Sequence, residues 1–463
     1  MRRLAIFAVL ALATPASGQP APTEHALLHD LARQVSPERQ RATITKLVGF
    51  GTRHTLSDTK SPTRGIGAAR RWVASEFAQM AKDCGGCLTV ETPSQVVSGT
   101  ARIPNPTEVM DVLAIQRGTG DPDRVIVISG HMDSRVTDPL NFTSDAPGAN
   151  DDASGTAAVI EAARVLSKYK FPATLVYAAL SGEEQGLHGG KVLADYATAH
   201  GWKVEADLNN DIVGNSEGLT GIRETTRVRI FSEGTKAVET PAEADKRRYN
   251  GGEVDSPSRQ LARMMDGLAD RYLSNFDVTM VYRTDRFSRG GDQVEMLKAG
   301  FPSVRVTEAN ENYTRQHQDL RVENGVRYGD VIEGVDFAYL AQVTRLNIVT
   351  MAALASAPAP PTGVDIQGAV SADTTISWTP SPDAARYRMW WRSTTDPQWR
   401  FSRDAAPAIS KQGGTMLLRG VNIDDWFFGV SAIGPEGWES PVVFPGAPGQ
   451  WAKGEPAKAP GTK

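Results

Sequence analysis

The sequence predicts an α/β fold, a mostly parallel sheet with helices on both faces, followed by a C-terminal all-β sandwich. Residues 124–130 and 173–180 are continuous, largely apolar runs, which is typical of strands that are covered on both faces. Helical patterns alternate with such strands, as in a parallel sheet whose crossovers are helices. Beyond residue 363, short alternating stretches rich in aromatic residues indicate the sandwich.

Chain length and the N-terminal segment predict the domain organisation. At 463 residues, two or three domains are expected. Arg2 and Arg3 precede an apolar run and a small-residue cleavage site, the pattern of a secretory signal peptide; an N-terminal core helix is the alternative. The expected boundaries are a signal peptide at 1–18, the α/β domain at 19–357, the sandwich at 358–447 and a disordered tail at 448–463.

Hydropathy and charge restrict the classes of function. We expect no segment after the signal peptide to be long and apolar enough to cross a membrane, and therefore a secreted protein, periplasmic or extracellular. Without Arg2 and Arg3 the formal net charge of −4 becomes −6 (−4 − 2). An acidic chain of this kind offers no basic field to attract nucleic acid.

The only two cysteines, Cys84 and Cys87, lie three positions apart. In an oxidising compartment a local disulfide is the favoured interpretation. Free thiols or a redox pair are the alternatives. Two thiols alone make a poor structural zinc site, because such a site needs four ligands.

Helix and strand signals place the elements of the α/β domain. Ser36 followed by Pro37 marks a helix start, because a cap residue precedes a proline at the first helical position. The predicted helices span residues 37–48, 65–82, 155–169, 188–199, 257–273, 292–299 and 327–355. The predicted strands span residues 124–130, 173–180, 226–234, 278–283 and 303–307. Residues 357–363, rich in Pro and Ala, indicate a semi-rigid linker.

Acids and imidazoles follow the predicted strands. Each alone has an ordinary explanation as a structural histidine, a solvated acid or a turn residue. Ligands of open α/β sheets bind at the carboxyl ends of strands. The shared position of these acids and imidazoles after strands therefore indicates a binding site. The residues in these positions are His131, Asp133, Glu183, Glu184, Asp211 and His317. Two imidazoles with several carboxylates and no thiolate suit zinc in a catalytic setting.

The stretch Gly148–Gly155, GANDDASG, holds two adjacent acids, Asp151 and Asp152. Asn, Asp, Ser and Gly are ordinary turn residues, so a solvated turn is the simplest explanation of the stretch alone. Two metal ions about 3.5–4 Å apart need a ligand that touches both. A carboxylate with two oxygens can serve, and glycines let the backbone approach closely.

Five motifs in order, GHMDS, GANDDASG, SGEEQGLHG, NNDIVG and HQD, resemble the co-catalytic di-zinc exopeptidases of bacterial leucyl aminopeptidase type (clan MH). The resemblance covers roughly residues 35–355 and implies the zinc exopeptidase fold with two zinc ions per chain. It implies that His131 and Asp211 bind one zinc, that Glu184 and His317 bind the other, and that Asp151 bridges them. It also implies a cis Asp151–Asp152 peptide.

The resemblance further implies a chemistry. Glu183 would be the general base for a water shared by the two zinc ions, and Asp133 would orient His131. The substrates would be peptide or protein N-termini, which defines a secreted aminopeptidase. The family often carries a Tyr directly before its last His as an oxyanion donor, but Gln316 stands there and Tyr313 is the nearest tyrosine. Asp292 lies where relatives carry a similar Asp, without an assigned role.

The C-terminal region, about residues 359–447, resembles a fibronectin type III domain. Trp378 and Tyr387 carry that resemblance together with the stretch FFGVSAIGPEGWES. We expect both side chains to pack in the core of the sandwich. A contact with a surface or polymer through Trp390 or Trp391 is the alternative function for aromatic residues of this domain.

Rival functions remain open at this point. A glutaminyl-peptide cyclase shares the fold but works with one zinc, and a carboxypeptidase-type relative would recognise the other end of a peptide. A non-catalytic binding module of the same fold would be expected to lack ligands or the base, whereas this chain has Glu183 and all the ligand positions. The sandwich could also make the protein an adhesion molecule.

Overall fold

The predicted fold class is confirmed in the computed structural model, which describes residues 22–405 and 413–451. The predicted signal peptide, residues 1–18, lies outside the described residues. Within them, an α/β domain is followed by two small antiparallel sheets. The strands of the α/β domain are β1 (Thr89–Glu91), β2 (Ser94–Val97), β3 (Thr107–Met110), β4 (Val112–Gln116), β5 (Asp121–His131), β6 (Ala173–Leu180), β7 (Lys203–Asn210), β8 (Arg227–Phe231), β9 (Asp277–Val281), β10 (Ser303–Glu308), β11 (Arg321–Glu323) and β12 (Val326–Tyr328).

One eight-stranded sheet organises the α/β domain, in the order β1-β4-β6-β5-β7-β10-β8-β9. Its four central strands, β6, β5, β7 and β10, run parallel. Strands β4 and β8 pair antiparallel to this central group. The carboxyl ends of the four parallel strands therefore meet at one edge of the sheet, where ligands of such folds bind.

Helices cover both faces of this sheet, as predicted. The helices are α1 (Ala26–Arg33), α2 (Pro37–Val48), α3 (Ile66–Asp83), α4 (Ala153–Leu166), α5 (His188–Ala199), α6 (Pro241–Asn250), α7 (Pro257–Tyr272), α8 (Gln293–Lys298) and α9 (Phe337–Ser356). The apolar residues of α2, α4, α7 and α9 share the larger core, whereas those of α5 and α8 form a second core with the opposite face. Helix α2 begins as predicted, with the Ser36 side chain accepting from Arg39 N and Pro37 at the first position.

The last predicted helix begins too early. Residues 326–328 form strand β12 instead, and the helix starts at Phe337. Gly329 has a φ of +115°, and a side chain there would collide with Leu320. A helix cannot pass through that conformation. The start is fixed by Asp336, whose side chain accepts from the backbone N–H groups of Ala338 and Tyr339.

The expectation that no segment after the signal peptide is long and apolar enough to cross a membrane is wrong for helix α9. It is long and apolar enough, by length and composition, to cross a membrane. However, 83% of that stretch is buried inside the protein. The helix packs against α4 and the central sheet, so its hydropathy is that of a core helix.

Strand β7 is the most consequential element that the sequence pattern misses. Its residues Glu205 and Asp207 are charged, and its last two residues are asparagines, so it lacks the apolar run of a buried strand. Glu205 pairs with the buried Arg124 at 2.9 Å. Asp207 accepts from Ser129 and Ser303, and burial raises its pKa to about 6. Tertiary partners therefore satisfy polar groups that the local pattern assigns to a loop.

The predicted disulfide is confirmed. Cys84 and Cys87 are bonded directly after helix α3. Both residues pack against the larger core. The alternatives of free thiols or an open redox pair are not what this structure contains.

The C-terminal sandwich has the strands β13 (Thr362–Gln367), β14 (Thr374–Thr379), β15 (Arg386–Ser393), β16 (Phe401–Asp404), β17 (Gly414–Leu418) and β18 (Trp426–Ile433). They form the sheets β13-β14-β17 and β16-β15-β18. Trp378 and Tyr387 pack in the core between them as expected, with ring centroids 5.2 Å apart. Trp390 donates to Ser431 Oγ at 2.8 Å, and Trp391 stacks on Phe401.

The predicted disordered tail is wrong at its start. Pro448 and Gly449 are buried, and Pro448 lies against Gly252 of the α/β domain. Trp451 packs against the sandwich core. Apolar burial holds these residues although their composition, rich in Pro and Gly, favours a loop. The remainder of that tail, residues 452–463, lies outside the described residues.

Candidate metal centre

The fold brings the residues of the predicted site together at the carboxyl edge of the parallel strands. His131 is the last residue of β5, and Asp211 directly follows β7. Glu183 and Glu184 follow β6, and His317 lies on the loop after β10. Asp151 lies just before α4, whose N-terminus faces the same edge. Side chains that are far apart in sequence therefore share one cleft.

Two groups of ligand-type side chains form in this cleft. His131, Glu183 and Asp211 make one group, and Asp151, Glu184 and His317 make the other. Within each group the ligand atoms lie within 4.8 Å of one another. All of the predicted metal ligands are present in these groups, but Glu183, predicted as a base, lies among the potential ligands of the first group.

Asp151 lies between the two imidazoles. Its Oδ1 is 3.3 Å from Nε2 of His131, and its Oδ2 is 2.9 Å from Nε2 of His317. Each carboxylate oxygen thus faces one of the two groups. A bridging ligand between two metal ions needs this arrangement.

The donor atoms fit zinc. His131 Nε2 and Glu184 Oε1 are buried and have no hydrogen-bond partner among the described residues, although charged neighbours lie within 4 Å of both. Buried polar atoms are costly unless something satisfies them. Imidazole nitrogens and carboxylate oxygens, with no thiolate, match the donor set of catalytic zinc sites.

Asp152 shapes the turn beside the site. The Asp151–Asp152 peptide is cis, as the family resemblance implies. The Asp152 carboxylate caps helix α4 by accepting from Gly155 N at 2.9 Å. It also accepts from the backbone N–H groups of His131 at 3.0 Å and Ile212 at 3.2 Å. The Asp152 carboxylate therefore connects the loop segments that carry the predicted ligands His131, Asp151 and Asp211.

Asp133 contacts His131 in two ways. Nδ1 of His131 lies 3.1 Å from the backbone carbonyl oxygen of Asp133 and 3.5 Å from its carboxylate. The carboxylate itself accepts from Thr55 Oγ1 at 3.0 Å and from Glu184 N at 3.3 Å. The contact that orients the His131 ring is therefore shorter to the backbone carbonyl oxygen of Asp133 than to the Asp133 carboxylate, which was the predicted partner.

Glu183 is buried beside the first group. Its Oε2 lies 4.0 Å from Nε2 of His131. Burial raises the pKa of Glu183 well above its ordinary value, and the neighbouring Asp211 and Glu184 carboxylates add to the shift. A raised pKa brings a carboxylate closer to the working pH of a general base.

Arginines that the sequence analysis missed hold the outer oxygens of two predicted ligands. Arg305 donates to Asp211 Oδ2 at 2.5 Å, and Arg135 donates to Glu184 Oε2 at 2.8 Å. Burial alone would raise the pKa of Asp211, but the Arg305 guanidinium and His131 hold it well below its usual range. No local signal marks these arginines, because their partners lie far along the chain.

The bridging loop is held by a further pair that the sequence analysis missed. Asp330 accepts from the backbone N–H groups of Asn150 at 2.9 Å and Asp151 at 2.7 Å. The buried Arg53 donates to the carbonyl oxygens of Pro147 at 2.6 Å and Gly148 at 2.8 Å. These contacts fix the backbone on which Asp151 is placed.

Tyr313 is the tyrosine nearest in sequence to the position where the family often carries its oxyanion donor. The Tyr313 side chain is about half exposed to solvent, 52%, and within the part of the chain that the structure describes no hydrogen bond or ring contact joins it to the ligand groups. Gln316 lies nearer, since its Nε2 donates to Asp151 Oδ2 at 3.2 Å. Asp292, left without a role, is buried and accepts from Gly190 N at 2.8 Å; burial raises its pKa to about 7.

Comparison with known sequences identifies relatives. Residues 111–324 match Peptidase family M28. A probable zinc metalloprotease of Pyrenophora teres f. teres is 46% identical over 423 residues, which cover 90% of this chain and 86% of that relative. A probable zinc metalloprotease of Leptosphaeria maculans is 44% identical over 430 residues, which cover 92% of this chain and 98% of that relative.

Solved structures share the fold. The LapA aminopeptidase of Legionella pneumophila aligns with a TM-score of 0.52 at 17% identity, covering 77% of this chain and 77% of that chain. LapB of the same organism aligns with a TM-score of 0.50 at 18% identity, covering 72% and 75%. At such low identity the likeness concerns the fold alone.

Proposed function

Because this chain belongs to peptidase family M28 and is a zinc metallopeptidase, we propose that it is a secreted aminopeptidase that holds two zinc ions. It would release single residues from the N-termini of peptides. The observation that carries the two-ion proposal is the position of Asp151, whose two oxygens face His131 and His317 at 3.3 and 2.9 Å.

The ligands would be divided between the two ions. His131 and Asp211 would hold one zinc, Glu184 and His317 the other, and Asp151 both. When bound, the zinc ions supply Lewis acidity that activates water and polarises the scissile carbonyl. The protein supplies the positions of the ligands, through Asp152, Asp330 and Arg53 on the loop backbones.

Glu183 is the group proposed to move the proton. Its carboxylate is buried and lies 4.0 Å from His131 Nε2, at the edge of the ligand groups. It accepts a proton from the attacking water as the new C–O bond forms. It then gives that proton to the amine that leaves as the peptide bond breaks. The raised pKa of Glu183 makes its carboxylate a stronger proton acceptor for the first of these transfers.

The charge of the cleft supports recognition of an N-terminus. The four carboxylates of Asp151, Glu183, Glu184 and Asp211 balance the four positive charges that two zinc ions would bring, so the centre has no excess positive charge to attract a peptide C-terminus. A peptide C-terminus would need a guanidinium or ammonium group free to bind it. Arg135 is instead committed to Glu184, His317 and two carbonyl oxygens, and Arg305 is committed to Asp211.

A matched substrate panel tests the proposal. We expect the zinc-loaded protein to cleave aminoacyl p-nitroanilides and short peptides with a free amine, and to leave their N-acetylated forms uncut. A chelator should abolish the activity, and zinc should restore it. Equal cleavage of the acetylated forms would contradict an aminopeptidase. Cyclisation of N-terminal glutamine by a chain with one zinc would favour the cyclase alternative.

Secretion needs its own measurement. The proposed signal peptide covers residues 1–18. N-terminal sequencing of the protein recovered from a host with a secretory pathway should begin at Gln19. Retention of the full chain inside the cell, with residues 1–18 intact, would contradict export.

A further inference from the structure

An arginine-rich loop, residues 282–291, follows strand β9 and leads to helix α8 beside the metal centre. The loop meets the first ligand group at a glycine. A Cβ atom on Gly291 would lie 3.5 Å from Oδ2 of Asp211 and would collide with Arg305, so only glycine allows this close approach of the backbone. The arginines of this arginine loop are Arg283, Arg286 and Arg289.

Two of the arginines contact the loop that carries His317. Nη1 of Arg289 lies 2.9 Å from Oε2 of Glu311, and Nη1 of Arg286 lies 3.4 Å from the same oxygen. Nη2 of Arg286 also donates to the carbonyl oxygen of Gly290 at 3.3 Å. These two guanidinium groups therefore lie between the loop that carries His317 and the backbone that meets the first ligand group.

Positive charge exceeds negative charge around the arginine loop. Arg229 of strand β8 also donates to Glu311, at 2.8 Å. Burial alone would raise the pKa of Glu311, but the arginines around it hold that pKa below its usual value. Four guanidinium groups, the three of the loop and that of Arg229, meet two carboxylates, those of Glu311 and Asp285. An excess of two positive charges (4 − 2) remains.

Two arginines of the loop are accessible to a ligand. The Arg283 side chain is exposed and makes no hydrogen bond or ion pair with any residue in 22–405 or 413–451. It lies 5.5 Å from the ring centroid of Phe287, which is 81% exposed. Arg289 is 33% exposed and has one acidic partner. Guanidinium N–H groups match the two oxygens of a carboxylate, so this surface suits an acidic ligand.

The arginine loop is close enough to the metal centre to meet a bound peptide. Each residue of an extended chain spans about 3.3–3.6 Å. Gly290, whose carbonyl oxygen contacts Arg286, is one residue from the glycine that packs against Asp211. The first two residues of a peptide whose scissile bond lies at the metal centre would therefore place their side chains near this loop.

We propose that Arg283 and Arg289 bind an acidic side chain on one of the first two residues of the substrate, so that the peptidase prefers peptides that are acidic next to the scissile bond. The inference rests on the proposed function and names its substrate class. The arginines of the centre itself, Arg135 and Arg305, are committed to predicted ligands. The excess positive charge lies on the arginine loop instead.

Matched peptides test this preference. Each peptide has a free amine and an amidated C-terminus, so that its only carboxylate is the side chain under test. One pair has Asp or Asn as the first residue, and a second pair has Glu or Gln as the second residue. We expect the wild type to favour the acidic member of at least one pair by about fivefold in kcat/KM, the scale of an exposed ion pair. Added salt should reduce this ratio.

Charge variants assign the preference to the two arginines. Arg283→Gln and Arg289→Gln should each lower the ratio of acidic to neutral substrate, and the double variant should bring it to about one. Arg283→Glu combined with Arg289→Glu should favour a peptide with Lys at the same position, which a merely structural role of the arginines would not produce. Lys298→Gln is the matched control, since it removes an exposed cation of helix α8 that pairs with Glu295 at 2.7 Å. Its ratio should equal that of the wild type.

Three results would overturn the inference. They are equal kcat/KM for the acidic and neutral members of both pairs, a preference that persists in the double Gln variant with a native circular dichroism spectrum, and a preference only for a free over an amidated C-terminus of a neutral dipeptide. The last result would assign the arginines to the end of the chain.

Peptide binding separates this inference from the proposed function. If the zinc-loaded protein cleaves none of the free-amine peptides, the aminopeptidase proposal fails. Calorimetry with the same zinc-loaded protein then still measures the Kd of each acidic peptide and its neutral partner. A tighter Kd for the acidic peptide that is lost in the double Gln variant would support the role of the arginines, and equal constants would contradict it.

Discussion

Asp255 of the α/β domain accepts two hydrogen bonds from Nη2 of Arg392 in the C-terminal sandwich, at 2.9 and 3.0 Å. Both side chains are almost fully buried, at 0% and 1% exposure. Arg263 of helix α7 donates to the same carboxylate at 2.8 Å. The sandwich is therefore joined to the α/β domain by a buried ion group, in addition to the Pro-rich segment that connects them.

Removing Arg392 should destabilise the protein. Arg392→Ala leaves a buried carboxylate with one of its two cations. Breaking a buried ion pair lowers the free energy of unfolding by about 3–5 kcal/mol. We expect a loss near the lower end of that range because Arg263 remains. Urea unfolding measures the loss. Lys191→Ala removes the exposed pair with Asp195 at 2.7 Å, and we expect it to cost less than about 1 kcal/mol. Equal effects of the two substitutions would contradict a structural role for the buried group.

Glu183→Ala distinguishes a base from a ligand. As a base, Glu183 contributes about 10²–10⁴-fold to the rate, so kcat/KM should fall by that factor while zinc content stays at the wild-type value. Elemental analysis and nitroanilide kinetics provide the two readouts. Glu184→Ala is the matched comparison, since it should lose zinc as well as activity. Loss of one zinc ion from Glu183→Ala would instead make Glu183 a ligand, as its place beside His131 and Asp211 allows.

Zinc should stabilise the folded chain. The ligands come from loops after several different strands, so an ion that binds them favours the folded state over the unfolded one. At a free zinc concentration 100 times the dissociation constant, this amounts to about 2.7 kcal/mol. The thermal midpoint should therefore fall when a chelator is added and recover with zinc. His131→Ala should show a smaller shift, and an equal shift would show that zinc acts elsewhere on the protein.

Glu233 should make stability depend on pH. Burial raises its pKa from 4.5 to about 8, so the folded chain keeps a proton that the unfolded chain releases above pH 4.5. Stability should therefore fall as the pH rises from about 4.5 to about 8, by up to about 1.4 kcal/mol per pH unit. Glu233→Gln stays neutral and should not show this loss.

The difference between wild type and Glu233→Gln isolates that contribution. Denaturant unfolding at pH 5, 6, 7 and 8 should show the variant gaining relative to the wild type as the pH rises. Other titrating groups act equally on both proteins. Parallel stability curves would mean that Glu233 ionises in the folded chain as it does in the unfolded one.

Local patterns were sufficient for much of the fold. The helices at 37–48 and 188–199 and the strand at 173–180 have the predicted bounds, because a cap, a periodic apolar face or a continuous apolar run marks each of them. Patterns failed where tertiary contacts replace local preference. Strand β7 carries Glu205 and Asp207, which only Arg124, Ser129 and Ser303 make compatible with burial.

The same division applies to the site. The ligand-type residues could be predicted because they directly follow buried strands or lie in short polar motifs. Their partners could not. Arg135 meets His317 across 182 positions of sequence, and Arg305 meets Asp211 across 94. A single arginine in a sequence carries no mark of the carboxylate or imidazole that it will face.

By itself, the sequence determined the α/β class, the sandwich, the disulfide and the set of acids and imidazoles at the strand ends, since each depends on residues close together in the chain. The tertiary structure alone decided which oxygen of Asp151 faces which imidazole and which arginine holds which ligand. Hydrogen bonds act over about 3 Å and depend on direction. Such contacts exist only after the strands have brought distant loops to a common edge.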